Sequence, residues 1–155
     1  MQYIRRKYNL LIGERMAEQI KIGIGSAYPL QSELTMTARG RNLITGLHGS
    51  IEISSVEVRE AIGGSIQVIV DTIKDALDEV PPELISDLLD TGICLSGGGS
   101  QILGLVPRLK DELNLRVWVA DDPLTCVARG CGAVLENLSE YKRFLVGLDR
   151  GRPKG

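Results

Sequence analysis

A run of three glycines is the segment of this sequence best suited to hold a ligand. Gly97, Gly98 and Gly99 follow a short apolar stretch, residues 92–95, and precede an amphipathic pattern that starts at Gln101. Backbone without Cβ atoms can approach a ligand closely and adopt positive φ angles, and the start of a helix favours a phosphate or a ribose hydroxyl. No Lys-Ser or Lys-Thr pair follows the glycines, so this is not a Walker loop, and a tight turn without a ligand accounts for the pattern about as well.

A second candidate is the set of charged residues Glu14, Glu18 and Lys21 near the start of the chain. Glu18 and Lys21 are three residues apart, which places both side chains on one face of a helix. A carboxylate beside an ammonium group can bind ribose hydroxyls and the edge of a purine. The alternative is an exposed ion pair within the helix, worth only about 0.3–0.5 kcal/mol, and the residues alone favour this alternative.

A third segment, residues 121–133, combines acidic residues, a proline and small residues. Asp122 followed by Pro123 predicts the start of a helix. The small residues that follow would leave one helix face almost bare: Ala128, Gly130, Gly132 and Ala133. Since a glycine inside a helix costs about 1 kcal/mol relative to alanine, these positions predict close packing or a hinge. A metal site at Asp121 and Asp122 is the less favoured alternative, because adjacent carboxylates usually cap helices and face solvent.

The composition of the 155 residues argues against several classes of function. The net charge of −2 gives no concentrated basic face for nucleic acid, and the short basic run at residues 5–7 does not change this. The single histidine, His48, argues against a histidine-based metal site or triad, and three cysteines without CxxC spacing predict buried thiols in a reducing cytosol. No apolar stretch approaches about 18 residues and the N-terminus lacks a signal-peptide pattern, so we expect a soluble cytoplasmic chain.

The elements that would position these residues fall into two parts. In the first part, the apolar spacing predicts helix 11–24 and strands 33–38, 42–45 and 50–54. Ser54 and Glu57 form a capping-box pattern at the start of the next helical segment, and the pair Gly63-Gly64 predicts a break in it. Two more helices are then predicted, over residues 65–79 and, after a pair of prolines, over residues 83–90.

The second part alternates between strand and helix patterns. The predicted order is strand 92–95, helix 101–113, strand 117–120 and helix 123–138. Strands separated by helices of this length predict a parallel sheet with helices packed on it, preceded by a separate α+β lobe. The last residues, 149–155, are predicted to form a loose tail.

Taken together, these segments resemble the MreB family of bacterial actins over nearly the whole chain. The motifs that carry the resemblance are Ile12-Gly13-Glu14-Arg15, Ala17-Glu18-Gln19-Ile20-Lys21, Ile24-Gly25-Ser26-Ala27-Tyr28-Pro29, Arg39-Gly40-Arg41-Asn42-Leu43, Pro81-Pro82-Glu83-Leu84, Leu95-Ser96-Gly97-Gly98-Gly99 and Asp122-Pro123-Leu124-Thr125-Cys126-Val127-Ala128-Arg129-Gly130. Several long motifs in the family's order are far more specific than any one of them. The resemblance implies the α/β fold of the C-terminal half of an actin-like, ribonuclease H-like ATPase. Residues 1–64 would form a small outer α+β subdomain, and residues 65–148 an inner subdomain with a parallel sheet.

The resemblance also implies a set of ATP-binding residues. The family's adenosine-contacting Glu-x-x-Lys position corresponds here to Glu18 and Lys21, with Gln19 and Ile20 between them. The glycine-rich adenosine motif corresponds to Gly97, Gly98, Gly99 and Ser100, with Gln101 and Ile102 next to the base. The resemblance implies neither catalytic nor metal-ligating residues within this chain.

The function that the resemblance implies is that of a filament-forming protein that determines rod cell shape. The intact protein would polymerise with ATP and Mg²⁺ and guide wall synthesis at the cytoplasmic face of the inner membrane. Family members begin with two phosphate-binding loops and with residues that position the attacking water, and none of these is found in the 155 residues. Although the family is a weak ATPase, we therefore expect weak or absent ATP binding and no turnover by this polypeptide alone.

The expected partners are further copies of the intact protein and a separate or missing N-terminal half. Neither nucleic acid binding nor direct insertion into a membrane is expected. Two other functions stay open at this point. One is that of an ATP-dependent chaperone or sugar kinase of the same superfold, since fold alone does not separate these classes. The other is that of a binding module that caps or regulates full-length filaments.

Overall fold

The helices and strands of this computed structural model, which describes residues 1–142, are divided between two apolar cores. The predicted tail 149–155 lies outside the described residues. In chain order the elements are α1 (Gln2–Tyr8), β1 (Leu10–Leu11), α2 (Glu14–Ile24), β2 (Thr35–Asn42), β3 (His48–Ser54), α3 (Ser55–Asp78), α4 (Pro82–Thr91), β4 (Ile93–Leu95), α5 (Leu105–Leu113), β5 (Val117–Val119), α6 (Cys126–Glu136) and α7 (Leu138–Tyr141). A short 3-10 helix, Gly98–Gln101, lies between β4 and α5.

The first three strands form an antiparallel sheet in the order β1-β2-β3. The predicted strand at residues 42–45 is wrong, because Asn42 ends β2 and a turn follows it. The Asn42 Oδ1 atom accepts hydrogen bonds from the amides of Ile44 and Thr45 at 2.9 and 3.0 Å. A side-chain bond of this kind to nearby backbone stabilises a turn at the expense of strand pairing.

The first core lies between this sheet and helices α1, α2 and α3. It buries the side chains of Ile4, Leu10, Ile12, Ile20, Ile24, Ala38, Ile53 and Val58. α1 and β1 have no counterpart in the sequence prediction. The reason is that α1 buries only Ile4, which is too little apolar periodicity to indicate a helix. The helix predicted to begin at residue 11 therefore begins later, at Glu14, and Leu11 pairs with Arg41 of β2 instead.

The predicted capping box at the start of α3 is confirmed. The Ser54 Oγ atom accepts the Glu57 amide at 3.3 Å, and the Ser54 amide donates to Glu57 Oε2 at 2.9 Å. The same carboxylate accepts the Tyr8 hydroxyl and lies 2.9 Å from Lys7 Nζ. The capping box therefore also attaches the end of α1 to the first turn of α3.

The predicted break at Gly63-Gly64 is wrong, because α3 runs without interruption for 24 residues. Val58 is buried in the first core, and Ile66 and Val70 are buried in the second. This packing on both sides of the glycine pair offsets a cost of about 1 kcal/mol per glycine. The predicted boundary after residue 64 thus falls inside one continuous helix.

No helix within residues 1–142, including the 24-residue α3, has the length and apolarity that crossing a membrane requires.

The second core lies against a parallel pair of strands, β4 and β5, close to their predicted positions. It buries Ala27, Ile66, Val70, Leu105, Leu109 and Val117. Cys94 on β4 pairs in register with Trp118 on β5, and both side chains are exposed. The prediction of a buried thiol at Cys94 is therefore wrong, because this face of the strand pair has no cover among the described elements. It is also wrong at Cys131, which is exposed on α6.

Two helices of the second part begin later than predicted. α5 begins after residue 101, because a turn with Gly104 at φ 73° separates it from the 3-10 helix. α6 begins after Pro123, because Asp122 adopts φ 48° and the Pro123 carbonyl accepts the amide of Gly97 at 2.7 Å. The segment that precedes α6 is thus bound to the glycine turn before the chain becomes helical.

Candidate functional site

A surface hollow of about 680 Å³ lies between α1, α2 and α3, and Glu18, Ile20 and Lys21 are among the residues that line it. The apolar part of its wall comes from the first core and includes Ile12 and Ile53. A volume of this size falls within the range of about 300–1,000 Å³ that is usual for small-molecule sites. Gln19, the remaining predicted residue of α2, is exposed and does not line the hollow.

The charged pair of α2 is accessible to solvent. Lys21 Nζ lies 2.8 Å from Glu18 Oε2, and the two side chains are 43% and 56% exposed. An exposed pair of this kind contributes well under about 1 kcal/mol, so either group can exchange its partner for a ligand at little cost. Ile20, by contrast, is only 3% exposed and belongs to the first core. Its side chain fixes α2 against the sheet.

The glycine turn after β4 leaves backbone accessible at two of its positions. A Cβ atom added to Gly97 or to Gly99 would meet no other atom within 4 Å. Gly97 has φ 81°, a conformation that residues with side chains rarely adopt. A Cβ atom on Gly98 would instead lie 3.3 Å from Leu124. The open side of the turn is therefore the side of Gly97 and Gly99.

Hydrogen bonds fix the shape of this turn. The Gly97 amide donates to the Pro123 carbonyl, and the Ser100 hydroxyl donates to the Gly97 carbonyl, each at 2.7 Å. Ser100 is buried, so its hydroxyl stabilises the turn and does not face a ligand. Ile102 is half-buried against the second core, whereas Gln101 is exposed. Of the predicted side chains in this segment, that of Gln101 is the most accessible.

A parallel bridge joins the end of α2 to the residue that follows the glycine motif. Ser26 pairs with Leu103, and the Ala27 amide donates to the Leu103 carbonyl at 2.7 Å. The two predicted segments are thus attached to each other through residues further along the chain, with Ser26 five positions after Lys21 and Leu103 one position after Ile102. The turn glycines themselves are not among the residues that line the hollow beside Glu18 and Lys21.

The side chain of Arg59 supports this junction from α3. Its Nη1 atom donates to Ser26 Oγ at 2.7 Å and to the Tyr28 carbonyl at 2.9 Å. Its Nη2 atom donates to Glu33 Oε1 at 2.7 Å. The hydrogen bond from Arg59, together with one from the Ser55 hydroxyl, lowers the pKa of the Glu33 carboxyl below its usual value. Arg59 therefore connects α3 to the loop between α2 and β2 at three points.

No residue of this junction is a predicted site residue. Ser26 and Tyr28 belong to the motif of residues 24–29, which contributes to the family resemblance without a predicted role. Arg59 carries no signal in the sequence, because its three partners lie 26 to 33 positions earlier in the chain. Only the fold brings them together.

The groups predicted for the site are of types that bind ligands by hydrogen bonding and charge. They comprise an exposed carboxylate and ammonium pair, an open glycine backbone and an exposed amide side chain. Within residues 1–142, no group of three or more His, Cys, Asp or Glu side chains is arranged to hold a metal ion.

Comparison with known proteins places the chain among bacterial actins. The family model described as MreB/Mbl protein matches residues 1–143. The cell shape-determining protein Mbl of Bacillus subtilis (strain 168) is 42% identical over 143 residues, which cover 92% of this chain and 43% of the relative. The cell shape-determining protein MreB of Escherichia coli (strain K12) is 45% identical over 141 residues, which cover 91% of this chain and 41% of the relative. The chain thus spans about two-fifths of the length of these relatives.

Solved structures agree with this result. The crystal structure of MreB5 of Spiroplasma citri bound to ADP matches with a TM-score of 0.86 at 32% identity, over 92% of this chain and 43% of that one. The MamK double helical filament matches with a TM-score of 0.73 at 21% identity, over 87% of this chain and 41% of that one. At that identity the likeness to MamK concerns the fold alone. The predicted α/β, actin-like fold and the predicted resemblance to MreB are both confirmed.

Proposed function

This chain belongs to the MreB/Mbl family, and we propose that it forms the adenosine side of the nucleotide cleft in an actin-like filament protein that determines cell shape. The observation that carries the proposal is the likeness to MreB5 bound to ADP, which extends over 92% of this chain. The names of the two relatives, both cell shape-determining proteins, support the biological role. The intact protein would bind ATP with Mg²⁺, self-associate into filaments and act at the cytoplasmic face of the inner membrane.

In this proposal α2 supplies the polar contacts to the nucleoside. The Glu18 carboxylate accepts hydrogen bonds from ribose hydroxyls, and the Lys21 ammonium group contacts the ribose or the purine edge. The exposure of both side chains and the weakness of their ion pair support these roles. Ile20 holds α2 in place from the first core, and Gln19 lies at the margin of the contact.

The glycine motif supplies the backbone side of the same site. Gly97 and Gly99 present open backbone to the nucleoside, while Gly98 and Ser100 keep the turn in shape through Leu124 and the Gly97 carbonyl. Gln101 and Ile102 lie beside the base. Bound ATP with Mg²⁺ would supply the phosphoryl group and the metal charge in the intact protein. The residues proposed here act only on the adenosine part.

A site of this kind predicts weak binding by the 155-residue chain. Adenosine contacts alone would give a dissociation constant in the millimolar range or above, which corresponds to about −4 kcal/mol or less favourable. Hydrolysis needs positioned phosphate-binding donors and a positioned water. We therefore expect no phosphate release by this polypeptide alone.

Amide chemical shifts recorded during nucleotide titrations test the proposal. ATP with Mg²⁺, ADP and adenosine should shift the amides of residues 18–21 and 97–102 with similar millimolar midpoints, because all three ligands share the adenosine part. Shifts confined to other regions would contradict the assigned site. Submicromolar affinity for ATP accompanied by phosphate release would contradict the half-site account.

A matched pair of lysine variants separates the site from general electrostatics. Lys21 and Lys74 are each 43% exposed and ion-paired to a glutamate, at 2.8 and 2.9 Å. Lys21→Ala should weaken the adenosine-induced shifts several-fold, whereas Lys74→Ala should leave them unchanged. Equal effects of the two substitutions would remove Lys21 from the site.

A further inference from the structure

Four polar side chains share the outer face of the hairpin formed by β2 and β3. Arg39 pairs with Ser50 in the strand register, and Arg41 pairs with His48. Side chains two positions apart on a strand, and those directly opposite on its neighbour, lie on the same face of a sheet. All four are exposed and border a shallow hollow of about 700 Å³. The face therefore presents two guanidinium groups, an imidazole and a hydroxyl to a single hollow.

Packing against β1 holds the backbone beneath these side chains. Gly40 and Gly49 pair with each other between the two polar pairs. A Cβ atom added to Gly40 would lie 2.3 Å from the Leu11 carbonyl oxygen, and one added to Gly49 would lie 3.1 Å from Leu10 Cδ1. The hairpin thus approaches β1 closely on its inner face, which fixes the outer face as well. A preordered surface loses little conformational freedom when it binds a ligand.

The cations of this face have no carboxylate partner. Arg39, Arg41 and His48 take part in none of the five ion pairs within residues 1–142. A carboxylate is present nearby, because Glu52 lies on the same face of β3, diagonally across from Arg39, but these two side chains form no ion pair. Two guanidinium groups on one face repel each other. A bound anion would offset that repulsion.

The hydrogen bonds of these side chains leave most of their donors available. Arg41 Nε donates to the Gly46 carbonyl at 3.1 Å, which orients the guanidinium group, and its two terminal nitrogens make no hydrogen bond within the described part of the chain. In that same part, the side chains of Arg39 and His48 make none at all. A guanidinium group offers its donors in a rigid fork that matches the oxygens of a phosphate or a carboxylate.

The number of donors favours a phosphate group over a carboxylate. A carboxylate has two oxygens, and one arginine fork satisfies both. Two forks, an imidazole and a hydroxyl around one hollow instead suit a tetrahedral group with several oxygens. The volume of about 700 Å³ lies within the usual range for small-molecule sites. The hollow therefore also has room for the organic group that carries the phosphate.

We propose that Arg39, Arg41, His48 and Ser50 form a binding site for a phosphate ester. The two guanidinium groups bind the phosphate oxygens, and the imidazole and the hydroxyl contribute further hydrogen bonds. Glu52 limits the site at one end, because its charge repels the anion. The ester is either a soluble molecule or a phospholipid headgroup, since both carry the same chemical group. This site shares no residue with the proposed adenosine site and does not depend on the proposed function.

Amide chemical shifts recorded during a titration with pyrophosphate test the site. Pyrophosphate at millimolar concentration should shift the amides of residues 39–41 and 48–50, whereas potassium chloride at the same ionic strength should not. Adenosine, which carries no phosphate, should also leave these amides unchanged. Equal shifts with chloride, or pyrophosphate shifts confined to other regions, would overturn the proposal. Because adenosine and pyrophosphate report on different residues, failure of this site is distinguishable from failure of the proposed adenosine site.

A matched pair of double variants separates the site from general electrostatics. Arg39→Gln with Arg41→Gln should weaken pyrophosphate binding at least fivefold. Arg5→Gln with Arg15→Gln neutralises two exposed arginines outside the hairpin and should change the affinity less than twofold. Equal weakening in both variants would overturn the site.

The single variant Arg39→Gln guards against an effect of misfolding. The Arg39 side chain makes no hydrogen bond or ion pair within residues 1–142, so its replacement should leave the amide spectrum of the free chain otherwise unchanged. The variant should still bind pyrophosphate at least twofold more weakly than the wild type. Unchanged affinity would exclude Arg39 and overturn the site as proposed.

Vesicles distinguish the two sources of the phosphate group. Cosedimentation is measured with vesicles of phosphatidic acid in phosphatidylcholine and with vesicles of phosphatidylcholine alone. Binding that requires phosphatidic acid, is displaced by pyrophosphate and is lost in the hairpin double variant would assign the site to a phospholipid headgroup. Binding of pyrophosphate without binding to either vesicle would assign it to a soluble ester. Binding of neither pyrophosphate nor phosphatidic acid would overturn the proposal.

Discussion

Ser26 and Leu103 pair in a parallel bridge, and the Ala27 amide reinforces it with a hydrogen bond of 2.7 Å to the Leu103 carbonyl. The bridge connects the end of α2 to the segment between the 3-10 helix and α5, and therefore connects the two elements of the proposed adenosine site. A substitution at this junction acts on both elements together. The junction is also the part of the site that sequence motifs describe least.

Gly104→Ala should destabilise the junction by about 1–3 kcal/mol. Gly104 has φ 73°, and a Cβ atom there would lie 2.7 Å from Tyr28 Cβ and 3.0 Å from the Tyr28 amide nitrogen. Urea unfolding followed by circular dichroism measures the change. Gly130→Ala is the control for the added methyl group. A Cβ atom at that position in the interior of α6 meets nothing within 4 Å, so this variant should be at least as stable as the wild type. Equal stability of Gly104→Ala and the wild type would contradict the close approach to Tyr28.

Local signals predicted the parts of this fold that depend on neighbours in the chain. The Ser54 and Glu57 capping box needs only two residues three positions apart, and the structure forms it. The strands around the glycine motif follow from apolar runs and form the predicted parallel pair. The position of Asp122 before Pro123 gave a good local reason for a helix start. A contact between residues far apart in the chain outweighs it, because the Pro123 carbonyl accepts a hydrogen bond from the Gly97 amide.

The same distinction explains what the sequence does not show of the site. The residues predicted for it lie in motifs with recognisable spacing. Arg59, which supports the junction, has its partners at least 26 positions away, and no periodic pattern encodes such a distance. The unbroken course of α3 through Gly63-Gly64 is another non-local effect, because it depends on burial in two separate cores.

Gly63→Ala and Gly64→Ala should each stabilise the chain by about 0.5–1 kcal/mol. Both glycines are exposed in the interior of α3, and a Cβ atom at either would meet no atom within 4 Å. The gain comes mainly from the smaller conformational freedom of alanine in the unfolded chain. Urea unfolding of the single and double variants gives the free energies. A loss of stability in either single variant would mean that α3 needs a bend at this point.

The stability of the chain should fall in acid partly through Glu57. Partial burial raises the pKa of this carboxyl, but hydrogen bonds from Tyr8, Lys7 and Ser54 outweigh it and lower the pKa from 4.5 to about 2. A carboxyl whose pKa is lower in the folded state stabilises the fold above the unfolded value. This contribution is therefore present above about pH 4.5 and is lost as the pH falls towards 2.

Glu57→Gln is the matched variant for this pH effect, since glutamine can keep the capping box but carries no charge. The free energy of unfolding, measured by urea titration between pH 6 and pH 2, should decline less steeply for the variant than for the wild type. Parallel pH profiles would show that Glu57 does not carry the acid sensitivity.

Arg59→Leu should destabilise the chain by about 1–3 kcal/mol, because it leaves the buried Ser26 hydroxyl, the Tyr28 carbonyl and the Glu33 carboxylate without their shared donor. A double-mutant cycle with Glu33→Gln measures the coupling, which for residues in contact is about 0.5–3 kcal/mol.

Beyond the loss of stability, hydrogen exchange in Arg59→Leu should accelerate at the Ala27 amide, whose acceptor is Leu103. Arg15→Leu, at an exposed position of α2, should leave that exchange rate unchanged. Arg59→Leu could lower the free energy of unfolding and accelerate exchange at the Ala27 amide only as much as that loss of global stability explains. In that case Arg59 only stabilises α3. Faster local exchange would instead mean that its guanidinium holds the two elements of the proposed adenosine site at their junction.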